Sequence, residues 1–244
     1  MVLARGHART TPVRSPAQPS HRQRGVPMPD QTIGFIGAGN IGSQLARLAV
    51  RTGHDVVLAN SRGPETLVDL VAELGHHARA ATRSEAAAAG DVVVVSTPLA
   101  AVGTLPVDLL AGKVVVDTNN YYPQRDGHVA ALDEGTTTSS ELLADHLVGA
   151  RVVKAFNHIG SRFLTKDAKP AGAERRRAVA IAGDDAAAKR IVADLVDQLG
   201  FDVVDAGPLA EGWRFGPGTP GYAARFTAEE LRQKLAEAKR DHAG

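Results

Sequence analysis

The chain has 244 residues, 43% of them hydrophobic, enough to bury a sizeable core in one large domain or in a larger and a smaller one. Lys and Arg number 28 against 27 Asp and Glu, and the net charge of +1 gives neither nucleic acid nor a membrane surface an electrostatic hold. Cysteine is absent, which excludes disulfides, thiolate metal sites and cysteine nucleophiles and accords with a cytoplasmic location, and no apolar run approaches the roughly 20 residues that span a bilayer.

Residues 1–30 mix five arginines with five prolines and show no hydrophobic period. They are expected to be a disordered leader, or an upstream extension of a chain whose translation begins at Met28. The chain then changes character. Thr32 to Gly42 reads as an apolar strand running into Gly37-Ala38-Gly39-Asn40-Ile41-Gly42, a complete G-x-G-x-x-G turn, and on into a helix with Ile41, Leu45, Leu48 and Ala49 on one face and Gly53 at its end. In that context Gly37 permits the tight turn, Gly39 lets the backbone approach a pyrophosphate and Gly42 lets helix and strand pack closely, with free helix N–H groups facing the phosphates.

The next strand, Asp55 to Asn60, ends where such a fold reads the adenosine ribose. A carboxylate there selects NAD; this chain has Asn60-Ser61-Arg62 instead, a hydroxyl and a guanidinium suited to a 2′-phosphate, so NADP(H) is the expected cofactor. A helix from Pro64 to Leu74, a weak strand after the surface pair His76-His77 and a short helix from Ser84 to Ala89 follow. Asp91 to Ser96 and Lys113 to Asp117 read as central strands. Their carboxyl ends place Thr97, Pro98 and Leu99, then Asn119, beside the cofactor, where Asn119 offers both donor and acceptor to a carboxamide or ribose.

A polar run at Thr136 to Ser140 caps a helix through Leu147, and Arg151 to His158 reads as a strand ending at the same crevice. His158 fits both a site role and a loop histidine bonded to backbone. Arg162 to Arg177 reads as a basic loop that covers the site. A βαβ unit then follows, from the strand Ala178 to Gly183 through a helix capped by Asp184 to the strand Asp202 to Gly207. The sole tryptophan, Trp213, fits both core packing and a pocket wall. A loop from Gly216 to Gly221 precedes a charged amphipathic helix from Thr227 to Asp241. The expected architecture is α/β: a Rossmann-type doubly wound parallel sheet over residues 31–158 with a small C-terminal α/β domain over residues 159–244.

Five segments together, Gly37 to Gly42, Asn60-Ser61-Arg62, Asn119-Asn120-Tyr121, Val153-Lys154-Ala155-Phe156-Asn157 and Asp205-Ala206-Gly207-Pro208-Leu209, resemble the coenzyme F420-dependent NADP reductase family over Thr32 to about Thr219. The resemblance implies hydride exchange between NADP(H) and coenzyme F420, a deazaflavin, with both small-molecule cofactors stacked in one cleft, and it leaves a homodimer as a further expectation. By that resemblance the pyrophosphate lies over Gly37, Ala38, Gly39, Asn40 and Ile41, and the 2′-phosphate lies on Ser61 and Arg62. The nicotinamide lies near Thr97, Pro98, Ala155 and Asn157. The deazaflavin lies between the loop from Phe156 through Asn157 and His158 to Ile159 and the Pro208-Leu209 turn. No residue is assigned as catalytic, since the reactive atoms belong to the cofactors. The segment after Thr219 departs from the family by moving quickly into a helix. Two other readings stand beside this one: an NADPH-dependent reductase of another small acceptor such as an imine, free flavin or ferric chelate, and a non-catalytic NADP(H)-sensing module.

Overall fold

The computed structural model describes residues 31–240; the leader and the Met28 start lie outside the described residues. β1 (Thr32–Ile36), α1 (Asn40–Arg51), β2 (Asp55–Ala59), α2 (Val68–Leu74), β3 (Ala78–Ala80), α3 (Arg83–Ala89) and β4 (Val92–Val95) form the first run. It continues through α4 (Val107–Leu110), β5 (Val114–Asp117), α5 (Pro123–Asp126), α6 (Ala130–Asp133), α7 (Ser139–His146) and β6 (Arg151–Lys154). The last third holds α8 (Ser161–Asp167), β7 (Ala178–Gly183), α9 (Ala186–Gln198), β8 (Asp202–Asp205) and α10 (Ala228–Glu237). None of these helices is long and apolar enough to cross a membrane.

All eight strands join one sheet in the order β3-β2-β1-β4-β5-β6-β7-β8. It is parallel from β3 to β6, as buried valine runs with helical crossovers require. Alternation along β4 serves both faces. Val92 and Val94 meet Leu45 and Leu48 of α1, while Val93 and Val95 meet Leu110 and Leu143. Chain order reverses between β1 and β4, which opens a crevice at their carboxyl ends.

The C-terminal βαβ unit extends this sheet. β7 runs antiparallel to β6 through two pairs, Val153 with Gly183 and Lys154 with Ala182, and β8 is parallel to β7. Ala178, Ala180 and Ala182 pack under Phe215, Leu231 and Leu235, so this unit carries its own cluster.

Three local expectations are corrected. β6 stops at Lys154 and not at His158, because Phe156 takes a left-handed conformation (φ 62°) that turns the chain out of the strand. The segment from Arg162 to Arg177 is not a loop over the site: its first part is α8, which docks on α1 through a Thr165 Oγ1 to Gln44 Oε1 bond of 3.1 Å. Its last two arginines are buried, Arg176 on Asp197 and Asp202, and Arg177 on Asp167. Asp185, not Asp184, caps α9; the Asp184 carboxylate instead accepts the Leu209 N–H at 2.9 Å.

Candidate functional site

The crevice begins at the turn between β1 and α1. Gly37 has φ 110°, and its N–H and that of Ala38 both donate to the Ala59 carbonyl, at 2.9 and 3.0 Å, which clamps the turn to the end of β2. A Cβ on Gly42 would stand 1.9 Å from the Gly37 carbonyl oxygen, whereas one on Gly39 would meet nothing within 4 Å. α1 has no side-chain cap and no acidic residue in its first turn, so its leading N–H groups are available to an anion.

At the end of β2, Asn60 organises a turn: its Oδ1 accepts the Arg62 N–H at 2.9 Å and its Nδ2 donates to Thr66 Oγ1 at 2.7 Å. Asn60 therefore works as a backbone staple, while Ser61 and Arg62 stay exposed. A cavity of about 390 Å³ joins Gly37, Ala38, Gly39, Asn60, Ser61 and Arg62 to Thr97 and Pro98. Arg83 and Thr104 also line it, neither of them among the expected site residues. A signal for Arg83 existed, since Thr82 and Glu85 have capping-box spacing and form one, which puts Arg83 in the first turn of a helix at the crevice rim.

No carboxylate pairs with Arg62 among the described residues, which leaves its guanidinium for a 2′-phosphate. Charge-assisted bonds to phosphate are worth about 1.5 to 3 kcal/mol. Arg62→Ala is expected to weaken NADPH binding roughly tenfold or more and to leave NADH binding unchanged, as read by fluorescence titration; equal losses for both would make the arginine structural.

A second cavity, about 500 Å³, adjoins the first along Ser96, Thr97 and Pro98 and continues past Asn40 and Ile41 to Asn119, Asn120 and Asn157. Asn119 is held by the register of β5 against β6, which sets Asp117 beside Lys154. Both are buried, at 0% and 3% exposure. Asp117 Oδ1 accepts the Asn119 N–H at 2.8 Å, Oδ2 accepts Ser140 Oγ–H at 2.6 Å, and Lys154 Nζ donates to Ser140 Oγ at 2.9 Å and to the Asn119 carbonyl at 2.8 Å. Burial pushes the Lys154 ammonium below its ordinary value, and Asp117 opposes that shift. With its backbone so fixed, Asn119 spends its Oδ1 on the Thr97 N–H at 3.2 Å.

Three buried atoms at this cavity have no protein partner: Asn119 Nδ2, Asn157 Oδ1 and Thr97 Oγ1. Buried polar groups are nearly always satisfied, so a donor and an acceptor left together at one cavity describe a ligand carrying the complementary pair. A nicotinamide carboxamide has that pair. The residues present therefore fit the nucleotide: its phosphates by the first cavity and its carboxamide by the second.

On the far wall of the second cavity Asn157 was expected, whereas Tyr122, Arg125 and Tyr222 were not. Asn120 Nδ2 donates to the Asn157 carbonyl at 2.8 Å, and Asn157 Nδ2 donates to Asn120 Oδ1 at 3.0 Å and to the Phe215 carbonyl at 2.9 Å. Tyr122, Arg125 and Tyr222 close the cavity, with the Arg125 guanidinium 4.9 Å over the Tyr122 ring. Tyr222 comes from the segment after Thr219, which thus supplies a wall of the site.

Several expected site residues stand elsewhere. Leu99 (8% exposed) and Leu209 (3%) pack into the core beside Val93 and Val95, and Pro208 lines neither cavity. Ala155 and Phe156 are fully buried, Phe156 edge-on to Phe201 at 6.0 Å. Phe156 and Leu209, expected to flank the deazaflavin, thus pack in the core and line neither cavity; Asn157 and Ile159 alone of that loop reach the cavity. His158 is the backbone-bonded histidine. It is 2% exposed and stacks edge-on against Phe215 at 5.4 Å, its Nε2 accepts the Ala180 N–H at 3.3 Å, and burial pushes its pKa down to about 3, so it is neutral and no acid at neutral pH. Trp213 proves to be a pocket wall, lining a third cavity of about 310 Å³ beyond Asn120 and Tyr121. His77 Nδ1 pairs with Asp55 at 2.7 Å beside the exposed His76.

Residues 32–121 match the family described as NADP oxidoreductase, coenzyme F420-dependent. The crystal structure of the hypothetical protein SMa0349 from Sinorhizobium meliloti is similar at 32% identity, covering 81% of this chain and 95% of that one with a TM-score of 0.71. A candidate F420-dependent NADP reductase from Arthrobacter sp. FB24 is 27% identical, covering 73% of this chain and 85% of that one with a TM-score of 0.62. The Escherichia coli K12 protein YjhV is 41% identical over 71 residues, which are 29% of this chain and 52% of YjhV, so the chain spans about half the length of that curated relative. More distant dehydrogenases and imine reductases share the fold.

Proposed function

Starting from a chain whose residues 32–121 belong to the coenzyme F420-dependent NADP oxidoreductase family, we propose that it is an oxidoreductase transferring a hydride between NADP(H) and coenzyme F420. The observation that carries the reading is the orphaned pair Asn119 Nδ2 and Asn157 Oδ1, buried at one cavity that adjoins the phosphate cradle. Bound NADPH supplies a hydride at C4, and a deazaflavin accepts one at C5. The chain's own contribution is binding and orientation. Gly37 to Ile41 hold the pyrophosphate against the start of α1. Ser61 and Arg62 hold the 2′-phosphate, and Asn119, Asn157 and Thr97 fix the carboxamide and so the face the nicotinamide presents. Pro98 and Ile159 contribute apolar surface that excludes water beside it, and Asn120, Tyr122 and Tyr222 bound the space left for the acceptor.

One observation favours reduction of a smaller acceptor: Pro208 and Leu209, expected to wall the deazaflavin, stand outside the cavity. An acceptor screen with NADPH separates the readings. F420 reduction well above that of free flavin, ferric chelate and cyclic imines supports the proposal; brisk reduction of one of the others with F420 inert replaces it, and NADPH binding with no acceptor reduced makes the chain a sensor.

A further inference from the structure

The cavity holds a phenol pair that hydride transfer itself does not use. Tyr122 and Tyr222, 100 residues apart in the chain, meet with their hydroxyl oxygens 2.5 Å apart. Their approach is built into the fold. The Ala223 N–H donates to the His158 carbonyl at 3.1 Å, Arg177 donates to the Ala224 carbonyl at 2.7 Å, and Ala223 takes a left-handed conformation (φ 62°) that turns the Tyr222 ring back toward Tyr122.

Counting hydrogens gives the pair a direction. Two hydroxyl hydrogens are present, and one lies in the bond between the phenols. Asn120 Nδ2, at 3.4 Å from each oxygen, is itself a donor there, so it competes for lone pairs and takes no hydrogen. Among the described residues no carbonyl or carboxylate accepts the second hydroxyl hydrogen from either tyrosine. A donor is thus left at the wall of the cavity where an acceptor molecule would lie.

We propose that the Tyr122–Tyr222 pair is the proton donor to the molecule that takes the hydride, which makes that molecule a conjugated imine or carbonyl compound whose heteroatom must be protonated as its carbon is reduced. The inference rests on the hydride-transfer reading above. The step balances: the hydride brings two electrons to the acceptor carbon, the displaced electron pair on nitrogen or oxygen takes the phenolic hydrogen, the phenol O–H bond breaks as the new N–H or O–H bond forms, and the phenolate regains a proton through its partner phenol from water. The charged groups facing the pair are Arg125, over the Tyr122 ring, and Asp126, which holds Arg125 at 2.8 Å. Burial and the bond to Tyr122 push the Tyr222 phenol up from its ordinary value while Arg125 opposes them, so the donor is protonated at neutral pH and the guanidinium stands near the transient phenolate.

The test mixes NADPH and F420 in single turnover. The Tyr122→Phe/Tyr222→Phe double variant is expected to reduce F420 about 100-fold more slowly than wild type, with NADPH affinity unchanged. Tyr121→Phe, altering a neighbouring phenol bonded to Asp133, keeps the wild-type rate. A readout without turnover accompanies it: with NADP+ in place of NADPH, the absorption band of bound F420 is shifted by the phenolic hydrogen bond in wild type, and the double variant returns it toward its position in solution. An active wild type with an equally fast double variant, or a band shift that survives in that variant, overturns the donor role alone. A wild type inert with F420 overturns the F420 reading of the proposed function, and with it this inference.

Discussion

Gly42→Ala is expected to unfold the nucleotide cradle, while Gly39→Ala, three residues away in the same motif, is expected to leave the fold intact and remove NADPH. The added methyl at Gly42 would stand 1.9 Å from the Gly37 carbonyl oxygen, an atom of the turn's own backbone that is held between the ends of β1 and β2 and cannot swing aside. Overpacking of this kind costs about 3 kcal/mol or more. For a domain of this size that lowers Tm by about 6 to 12 °C. At Gly39 the same methyl meets nothing within 4 Å, so Tm should hold. Its methyl would instead fill the space where a pyrophosphate approaches the backbone, and NADPH affinity should fall roughly 100-fold, two interactions' worth of charge-assisted bonding. Thermal melts and NADPH titration on both variants check this, and a stable Gly42→Ala protein that binds NADPH normally would contradict it.

The second large effect lies at the buried ion pair. Removing one partner of such a pair leaves an uncompensated charge and costs about 3 to 5 kcal/mol. Lys154→Met is expected to lower Tm by about 6 to 20 °C for that reason. It strands the Asp117 carboxylate at 0% exposure, with hydrogen bonds remaining only from Ser140 and the Asn119 backbone. Because the lysine also holds the Asn119 carbonyl, carboxamide recognition should weaken too, so NADPH binding falls beyond what stability alone explains. Lys154→Met/Asp117→Leu, which removes both charges, should recover much of the lost stability but not the binding. Equal melting of the single and double variants would show that no buried charge had been stranded. Gly212 belongs to this arrangement, since a Cβ there would sit 2.7 Å from Lys154 Cδ.

Much of the fold was legible because its strands are short apolar runs bounded by glycine and its helices have regular apolar faces. The cavity that joins the glycine motif to Asn60-Ser61-Arg62 was equally legible, for both segments act through local backbone geometry. The acceptor end was not. Phe156, Leu99 and Leu209 are apolar residues beside the crevice in sequence, yet side-chain direction, decided by packing against Phe201 and Val95, turned them inward. Tyr222 was invisible for the opposite reason: its position depends on Arg177 and the His158 carbonyl, contacts across the chain with no local spacing to announce them. Asp184 was the expected cap of α9, but its carboxylate is taken by the Leu209 N–H of the 208–209 turn, a contact with no local spacing to announce it, and Asp185 caps the helix instead.

Direct hydride transfer between two cofactors held in one crevice leaves an isotopic signature. NADPH deuterated at both C4 positions is incubated with the wild-type protein and F420, and the reduced deazaflavin is analysed by mass and proton resonance. Direct transfer needs donor and acceptor carbons within roughly 3 to 3.5 Å, too close for exchange with water. One deuterium is expected on C5 of every reduced deazaflavin, and reduced product carrying hydrogen from solvent at C5 would rule direct transfer out.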